Sequence, residues 1–232
     1  MMMQMFDLAA ADSAVRFSPY CWRIKMALAH KGLVAEMLPV RFMDKPKIAF
    51  SGQKLVPILR DGENVIHDSW QIAQYLDASY PDSPKLFGGA QSRALANFVR
   101  HWTQTRINTT MLRMTIADIH EIIDAGDRDY FRQSREARFN MPFDKISIGA
   151  EEGRAILKGE LTPLRELLAE QPFLCGETPA FADYILFGTF MWARCVSPVR
   201  LLDDGDPVYD WRDRMLALFD GLARDAPRAT TA

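Results

Sequence analysis

The 232-residue chain contains few cysteines and histidines, and this scarcity bears on two classes of site. Its three cysteines, Cys21, Cys175 and Cys195, are odd in number and widely spaced. This argues against a disulfide framework or a cysteine-rich zinc site and favours a reducing compartment. The four histidines show no metal-ligand spacing. We therefore expect neither a disulfide scaffold nor a bound metal.

Long apolar runs and a large excess of one charge are also missing. No uninterrupted apolar segment is long enough to cross a bilayer, and no Lys or Arg precedes Arg16 to form the basic region of a secretory signal. The net charge of -2 and the pI near 6.1 give no general attraction to nucleic acid or to an anionic membrane. We expect a soluble cytoplasmic protein that binds neither nucleic acid nor a membrane.

The chain changes character near residues 80–91, and the part before this point alternates between short apolar runs and helical patterns. Strands are predicted in "QMFDLA" and "AEMLPVRF", with a helix in "SPYCWRIKMALAHKG" between them. The segment "LVPILRDGENVIHD" predicts a hairpin that turns at Asp61-Gly62, and "SWQIAQYLDASY" predicts another helix. Residues 1–81 are thus predicted to form a small α/β domain.

The second part of the chain is helical in pattern. The Pro- and Gly-rich segment "YPDSPKLFGGAQ" predicts a linker over residues 82–91, before an all-helical domain over residues 92–232. Leucines recur at helical spacing through residues 157–168, where Pro163 predicts a kink or a helix start. Asp183 is placed to accept a hydrogen bond from the backbone N–H of Ala180, which is half of a capping box.

Three separated features of the first domain fit one ligand. Ser18 stands at a helix start, where its hydroxyl can donate a hydrogen bond to a bound thiolate and lower that thiol's pKa. Val56-Pro57 opens a strand, and the Pro predicts a cis bond that leaves the main chain of Val56 free for an extended peptide. Asp68-Ser69 begins the next helix and offers groups for a carboxylate and an ammonium. Together these features describe a glutathione site.

Five segments carry a wider resemblance: "SPYCWRIKMAL", "LVPIL", "HDSWQIAQYLD", "YPDSPKLF" and "FADY". In these the chain resembles the glutathione transferase superfamily, whose fold is a thioredoxin-like N-terminal domain followed by an all-α domain. The resemblance implies glutathione as co-substrate, no metal, and a homodimer. It makes Ser18 the residue that stabilises the thiolate. The implied glutathione contacts are Ser18, Lys54, Val56, Pro57, Asp68 and Ser69.

A closer likeness points to one group within this superfamily. The segments "SPYCWR", "DSWQIAQYLD" and "DRDYFRQSRE" resemble the glutathione-dependent β-etherases of bacterial lignin breakdown. That likeness implies a small apolar, aromatic electrophile as second substrate and the cleavage of a β-aryl ether. On its own pattern, "DRDYFRQSRE" predicts a solvated helix with internal ion pairs.

The second-substrate pocket and the exact chemistry leave alternatives open. Four residues recur at helix spacing and could face the domain cleft, together with Tyr20. These four are Trp102, Arg106, Thr109 and Arg113. Cys21 occupies the position of a glutaredoxin's resolving cysteine, so a glutathione-dependent thiol oxidoreductase is one alternative. A glutathione-dependent isomerase and a non-catalytic ligand-binding homologue are two others.

Overall fold

The computed structural model describes residues 2–229, and its N-terminal part is built on a mixed four-stranded sheet. The strands are β1 (Met3–Leu8), β2 (Ala35–Val40), β3 (Ile58–Asp61) and β4 (Asn64–His67), in the order β2-β1-β3-β4. Strand β1 pairs parallel to β2 and antiparallel to β3, which pairs antiparallel to β4. This arrangement confirms the predicted thioredoxin-like α/β domain.

Three helices accompany the sheet. Helix α1 (Pro19–His30) is the crossover between the two parallel strands, as such a connection requires. The short helix α2 (Lys45–Ile48) and a 3-10 turn (Ala49–Ser51) lead from β2 to β3, and α3 (Ser69–Ser79) follows β4.

The predicted hairpin is present and is tied to the helix that follows it. Asp61 pairs with Asn64, so the loop is Gly62-Glu63, and Gly62 adopts the positive φ of +59° that this tight turn needs. The Asp61 carboxylate accepts the hydroxyl groups of Tyr75 at 2.8 Å and Tyr80 at 2.5 Å. These bonds anchor the end of β3 to α3 and to the residue that follows it.

The rest of the chain is helical. Its helices are α4 (Ala90–Trp102), α5 (Asn108–Ile122), α6 (Arg128–Phe139), α7 (Phe143–Ile146), α8 (Ala150–Glu160), α9 (Thr162–Glu170), α10 (Phe181–Val196) and α11 (Pro207–Gly221). A π-helical turn (Thr103–Ile107) joins α4 to α5. Pro163 lies in the first turn of α9, which confirms the predicted helix start. Within residues 2–229, no helix is both long and apolar enough to cross a membrane.

The two domains meet where α1 packs against α10. Helix α10 is buried along almost its whole length, and its start is capped by the Asp183 carboxylate. That carboxylate accepts hydrogen bonds from the backbone N–H of Ala180 at 3.1 Å and Leu174 at 2.8 Å, and from the indole of Trp211 at 2.9 Å. The half capping box is confirmed, and the two further donors fix how α10 enters the core.

One glycine makes the contact between these helices possible. A Cβ atom at Gly188 of α10 would clash with the backbone carbonyl oxygen of Pro19, the first residue of α1. Only a glycine lets the two backbones approach so closely. The contact holds the N-terminus of α1 directly against the helical domain.

Candidate active site

Ser18 stands at the start of α1 and is almost completely buried. Its Oγ accepts a hydrogen bond from the backbone N–H of Cys21 at 3.3 Å, which makes it the N-cap of the helix. A serine hydroxyl can accept this bond and still donate its own proton. The cap therefore leaves one O–H donor beside the positive end of the helix dipole, where an anion is favoured.

Two backbone features stand beside this helix start. The Val56–Pro57 peptide bond is cis, as predicted, and these two residues directly precede the strand β3. Asp68 is the N-cap of α3 and has a φ of +67°, and its carboxylate accepts the N–H groups of Trp70 and Gln71. Its side chain is exposed, whereas that of Ser69 is buried.

A cavity of about 180 Å³ lies between the two domains, next to Ser18. The N-terminal domain contributes Ser18, Tyr20, Lys54 and Val56 among the predicted residues. Asp68 and Ser69 are not among its lining residues, since they stand at the neighbouring helix start. The helical domain contributes mainly apolar side chains and two arginines, namely Asn108, Leu112, Ile119, Phe131, Arg135, Arg138 and Trp192.

Family models match both halves of the chain that build this cavity. Residues 13–84 match the model described as "Glutathione S-transferase, N-terminal domain", and residues 94–207 match "Glutathione S-transferase, C-terminal domain". The two matches are in the family's domain order and together span most of the chain. The chain belongs to the glutathione S-transferase superfamily.

Curated transferases match the chain over shorter stretches. The glutathione S-transferase-like protein ustS of Aspergillus flavus is 31% identical over 138 residues, which cover 54% of this chain and 49% of that protein. Glutathione S-transferase Z1 of Arabidopsis thaliana is 38% identical over 78 residues, which cover 32% of this chain and 35% of that protein. The chain thus spans half or less of the length of these relatives.

Solved transferase structures match the fold over nearly the whole chain. CsGST63524 of Ceriporiopsis subvermispora, solved in complex with glutathione, has a TM-score of 0.81 at 20% identity, covering 99% of this chain and 100% of its own. GSTFuA3 of Phanerochaete chrysosporium has a TM-score of 0.76 at 23% identity, covering 95% and 92% of the two chains. At such identities these structures establish the glutathione transferase fold.

Four residues predicted for the second-substrate pocket do not line the cavity that the described residues form. Trp102 lies in a shallow apolar groove between α4 and α9. Arg106 is exposed and lies 3.8 Å from Glu160, and Arg113 donates to the carbonyl oxygen of Ile146 at 3.0 Å. Thr109 is half-buried.

The π-helical turn gives the physical reason for this displacement. An extra residue in one helical turn rotates all later side chains by about 100° relative to a regular α-helix. Because Thr103–Ile107 forms such a turn, a single helical face cannot continue from Trp102 into α5. The face of α5 that meets the cavity carries Asn108, Leu112 and Ile119 instead.

Cys21 lies one turn into α1 but points away from the cavity. Its side chain is fully buried, and its sulfur lies 4.0 Å from the carbonyl oxygen of Phe6. Burial, with the nearby Asp7 carboxylate adding to it, raises the pKa of the Cys21 thiol well above its ordinary value. A thiol in this environment is a poor nucleophile at neutral pH.

The sequence-based prediction missed the residues that α6 contributes. The segment "DRDYFRQSRE" does form a helix, as predicted, but Phe131 is buried and both Phe131 and Arg135 line the cavity. The predicted internal ion pairs are not found in the described part of the chain, where Arg132 lies 3.7 Å from Asp144 on α7 instead. The pair Tyr130-Phe131 within the charged segment is the one sequence signal that a face of this helix packs against the rest of the protein.

The loop after β2 is fixed to this helix. The Asp127 carboxylate, which is buried, accepts the backbone N–H groups of Phe42 and Met43, each at 2.9 Å. Phe42 from this loop and Lys45, the first residue of α2, line the cavity as well. In residues 2–229, no group of three or more His, Cys, Asp or Glu side chains is arranged to hold a metal ion.

Proposed function

We propose that the chain is a glutathione transferase in which Ser18 stabilises the glutathione thiolate for attack on an aromatic electrophile. The observation that carries the proposal is the Ser18 hydroxyl, which caps α1 at the edge of the interdomain cavity and keeps a proton to donate. A hydrogen bond to the thiolate favours the ionised form of the thiol. Two of the similar structures are described as complexes with glutathione, which supports the choice of thiol.

The remaining contacts follow from the chemistry of glutathione. In the proposal, the main chain of Val56 pairs with the extended tripeptide, while Asp68 and Ser69 hold the ammonium and carboxylate of its γ-glutamyl end. Lys54, whose carbonyl oxygen accepts the Lys45 ammonium at 2.6 Å, provides with Lys45 a positive region for the glycine carboxylate. The resemblance also predicts a cytoplasmic homodimer.

For a β-aryl ether, the proposed reaction is a nucleophilic substitution. The thiolate sulfur bonds to the carbon that bears the aryloxy group, the carbon–oxygen bond breaks, and its electron pair leaves with the phenolate. Catalysis then relies on positioning and on stabilisation of the thiolate rather than on a general base. The apolar wall of Leu112, Phe131 and Trp192 suits an aromatic ring.

The burial of Cys21 favours this transfer chemistry over a thiol oxidoreductase. A reductase that works through Cys21 needs its thiolate within reach of a mixed disulfide, whereas the side chain is fully buried and burial raises its pKa. We therefore expect Cys21→Ala to retain activity and Ser18→Ala to lose it.

The test is mass-resolved product analysis of a β-aryl ether dimer incubated with enzyme and glutathione. Release of the phenol together with a glutathione adduct, lost in Ser18→Ala but kept in Ser92→Ala, supports both the etherase reaction and the role of Ser18. Ser92 is a matched control because it stands in the first turn of α4, outside the cavity. Conjugation of an activated aryl halide without ether cleavage would support the transferase proposal and reject the β-aryl ether as its substrate. A product of unchanged mass would indicate an isomerase, and binding without reaction would indicate a carrier.

A further inference from the structure

Helix α6 places two arginines at the cavity, one turn apart. Arg135 and Arg138 both line it, and Phe131, one turn before Arg135, lines it as well. Residues three and four apart share one face of a helix. This face, which we call the arginine face (Phe131, Arg135 and Arg138), has no part in the glutathione contacts proposed above.

The charged residues that line the cavity are all positive. Five lining residues are cationic and none is acidic, namely Arg41, Lys45, Lys54, Arg135 and Arg138. The guanidinium of Arg41 lies 3.1 Å from the Asp124 carboxylate, which compensates its charge. Lys45 and Lys54 stand where the proposal needs them for glutathione. The uncompensated charge is therefore on the arginine face.

Arg135 itself lacks an anionic partner in the part of the chain that the structure describes. It makes no ion pair there, its Nη1 donates to the Ser134 hydroxyl at 2.7 Å, and its Nε is buried without a hydrogen-bond partner. Burial lowers the pKa of Arg135 to about 10, so it stays charged at neutral pH. A half-buried cation whose Nε has no hydrogen-bond partner is costly, and such a group is expected to have an anionic partner when the site is in use.

The guanidinium is also held in a defined position. Its Cζ lies 4.1 Å from the ring centre of Phe131 and 5.4 Å from that of Phe42. Phe42 is in turn fixed by the bond from its N–H to the buried Asp127 carboxylate. A guanidinium positioned by two rings presents its planar set of N–H donors in one orientation, which suits bidentate binding of a carboxylate.

We infer that the second substrate carries a carboxylate, which Arg135 binds while the apolar body of the substrate lies against Phe131, Leu112 and Trp192. Arg138, which is exposed at the cavity rim, assists the approach of the anion. This inference rests on the proposed function and narrows it, because the electrophile becomes an aromatic acid rather than a wholly apolar molecule.

The test compares two electrophiles that differ in one group, the carboxylate of 4-chloro-3-nitrobenzoate and the neutral amide of 4-chloro-3-nitrobenzamide, and each variant is compared with the wild type on the same electrophile. Glutathione displaces chloride from both, so the bond that forms and the leaving group are the same. We expect Arg135→Met to lower kcat/KM for the benzoate by about 10- to 100-fold, as for the loss of a charge-assisted hydrogen bond, and to leave the benzamide within about twofold. Arg132→Met is the matched control, since Arg132 is on the same helix but outside the cavity.

Two kinetic outcomes would overturn the inference. A higher KM for glutathione with both electrophiles in Arg135→Met would mean that the cation serves glutathione. Equal losses of kcat for the benzoate and the benzamide would mean that Arg135 acts on the reaction or the fold rather than on substrate charge. If Arg135→Met does not fold, Arg138→Gln must lower kcat/KM for the benzoate selectively, by about threefold. Absence of that selectivity would equally reject the inference.

Failure of the proposed function can be told apart from failure of this inference. If the wild-type protein conjugates neither electrophile and cleaves no β-aryl ether, the transferase proposal fails, and calorimetry with the unreactive 3-nitrobenzoate and 3-nitrobenzamide still tests the site. Binding of the benzoate alone, lost in Arg135→Met and kept in Arg132→Met, would support the carboxylate site. Equal binding of both compounds, or of neither, would count against it.

Discussion

The two walls of the cleft are built in different ways. The wall from the N-terminal domain is built where helices and strands begin, namely at Ser18, the N-cap of α1, and at Val56, two residues before β3. Asp68, the N-cap of α3, lies outside the cavity lining but is proposed to bind the same ligand. The wall from the helical domain consists of side chains that project from α5, α6 and α10. Backbone groups at the starts of helices and strands suit a ligand that is the same in every reaction, here glutathione. Side chains on helices can be substituted without altering the fold. The first wall should therefore govern every reaction, and the second should choose among substrates.

The largest expected effect comes from the first wall. Ser18→Ala should lower kcat/KM by about 10²- to 10³-fold for charged and neutral electrophiles alike, because it removes a donor to the anion that all of them require. Ser18→Thr keeps a hydroxyl and the N-cap, and it should recover most of the activity. Titration of the bound thiol by its thiolate absorbance should show a higher pKa in Ser18→Ala. A loss confined to one electrophile would contradict the division between the walls.

The second wall depends on bonds between side chains of different helices. The Thr189 hydroxyl on α10 donates to the Asn108 Oδ1 on α5 at 2.6 Å, and both side chains are buried. Asn108→Ala should lower the free energy of unfolding by about 1–3 kcal/mol, because it leaves a buried hydroxyl unpaired. The double variant Asn108→Ala/Thr189→Val should cost less than the sum of the two single changes in urea unfolding. Strict additivity would show that this bond does not join the helices.

The contribution of Asp68 should be smaller and confined to glutathione. Asp68→Asn keeps the cap of α3 and tolerates the positive φ, but it removes the negative charge. Because the side chain is exposed, we expect up to about a fivefold rise in KM for glutathione, with kcat and thermal stability unchanged. Asp82→Asn, an exposed acid in the predicted linker, is the control. A change in KM for the electrophile instead would show that Asp68 serves the second substrate rather than glutathione.

The smallest effect concerns the contact that holds the two walls together. At the far end of α1, the His30 Nδ1 lies 2.7 Å from the Tyr184 hydroxyl on α10, and burial lowers the pKa of His30. His30 then binds a proton more readily in the unfolded chain than in the folded one. The free energy of unfolding should therefore fall as the pH drops below about 6.5. Urea unfolding at pH 7 and pH 5 should show a smaller pH-dependent loss for His30→Gln than for the wild type. An identical loss would assign the pH dependence to other groups.

The comparison of the walls also explains what could be predicted from the sequence. Ser18, Val56 and Asp68 stand at the starts of elements, and local residue patterns mark such starts. Asp183 was placed as a cap for the same reason, although its bond to Trp211 joins distant parts of the chain and has no local signal. The roles of the glutathione contacts remain predictions.

The helical wall could not be predicted because it depends on helix phase and tertiary contacts. The assumed spacing of 3.6 residues per turn placed Trp102 and Arg113 on the cleft, and the π-helical turn between them changed the phase. The charges of "DRDYFRQSRE" are typical of a solvated helix, yet Arg135 is drawn into the cleft by its packing on Phe131. Nothing in the spacing of the charges distinguishes these two environments.

Cys195 gives the chain an internal gauge of domain opening. It is fully buried on α10, where this helix packs against α1 of the other domain, whereas Cys175 is partly accessible. Cys21 is equally buried, but its sulfur lies against the carbonyl oxygen of Phe6, so its labelling would report on the opening of the N-terminal domain itself. A thiol-specific reagent should therefore modify Cys175 first under native conditions, and Cys195 only as fast as α1 and α10 separate. The rate at which Cys195 is labelled, read by mass spectrometry, then measures the separation of the domains without an added probe, and any ligand that bridges the cleft should slow it.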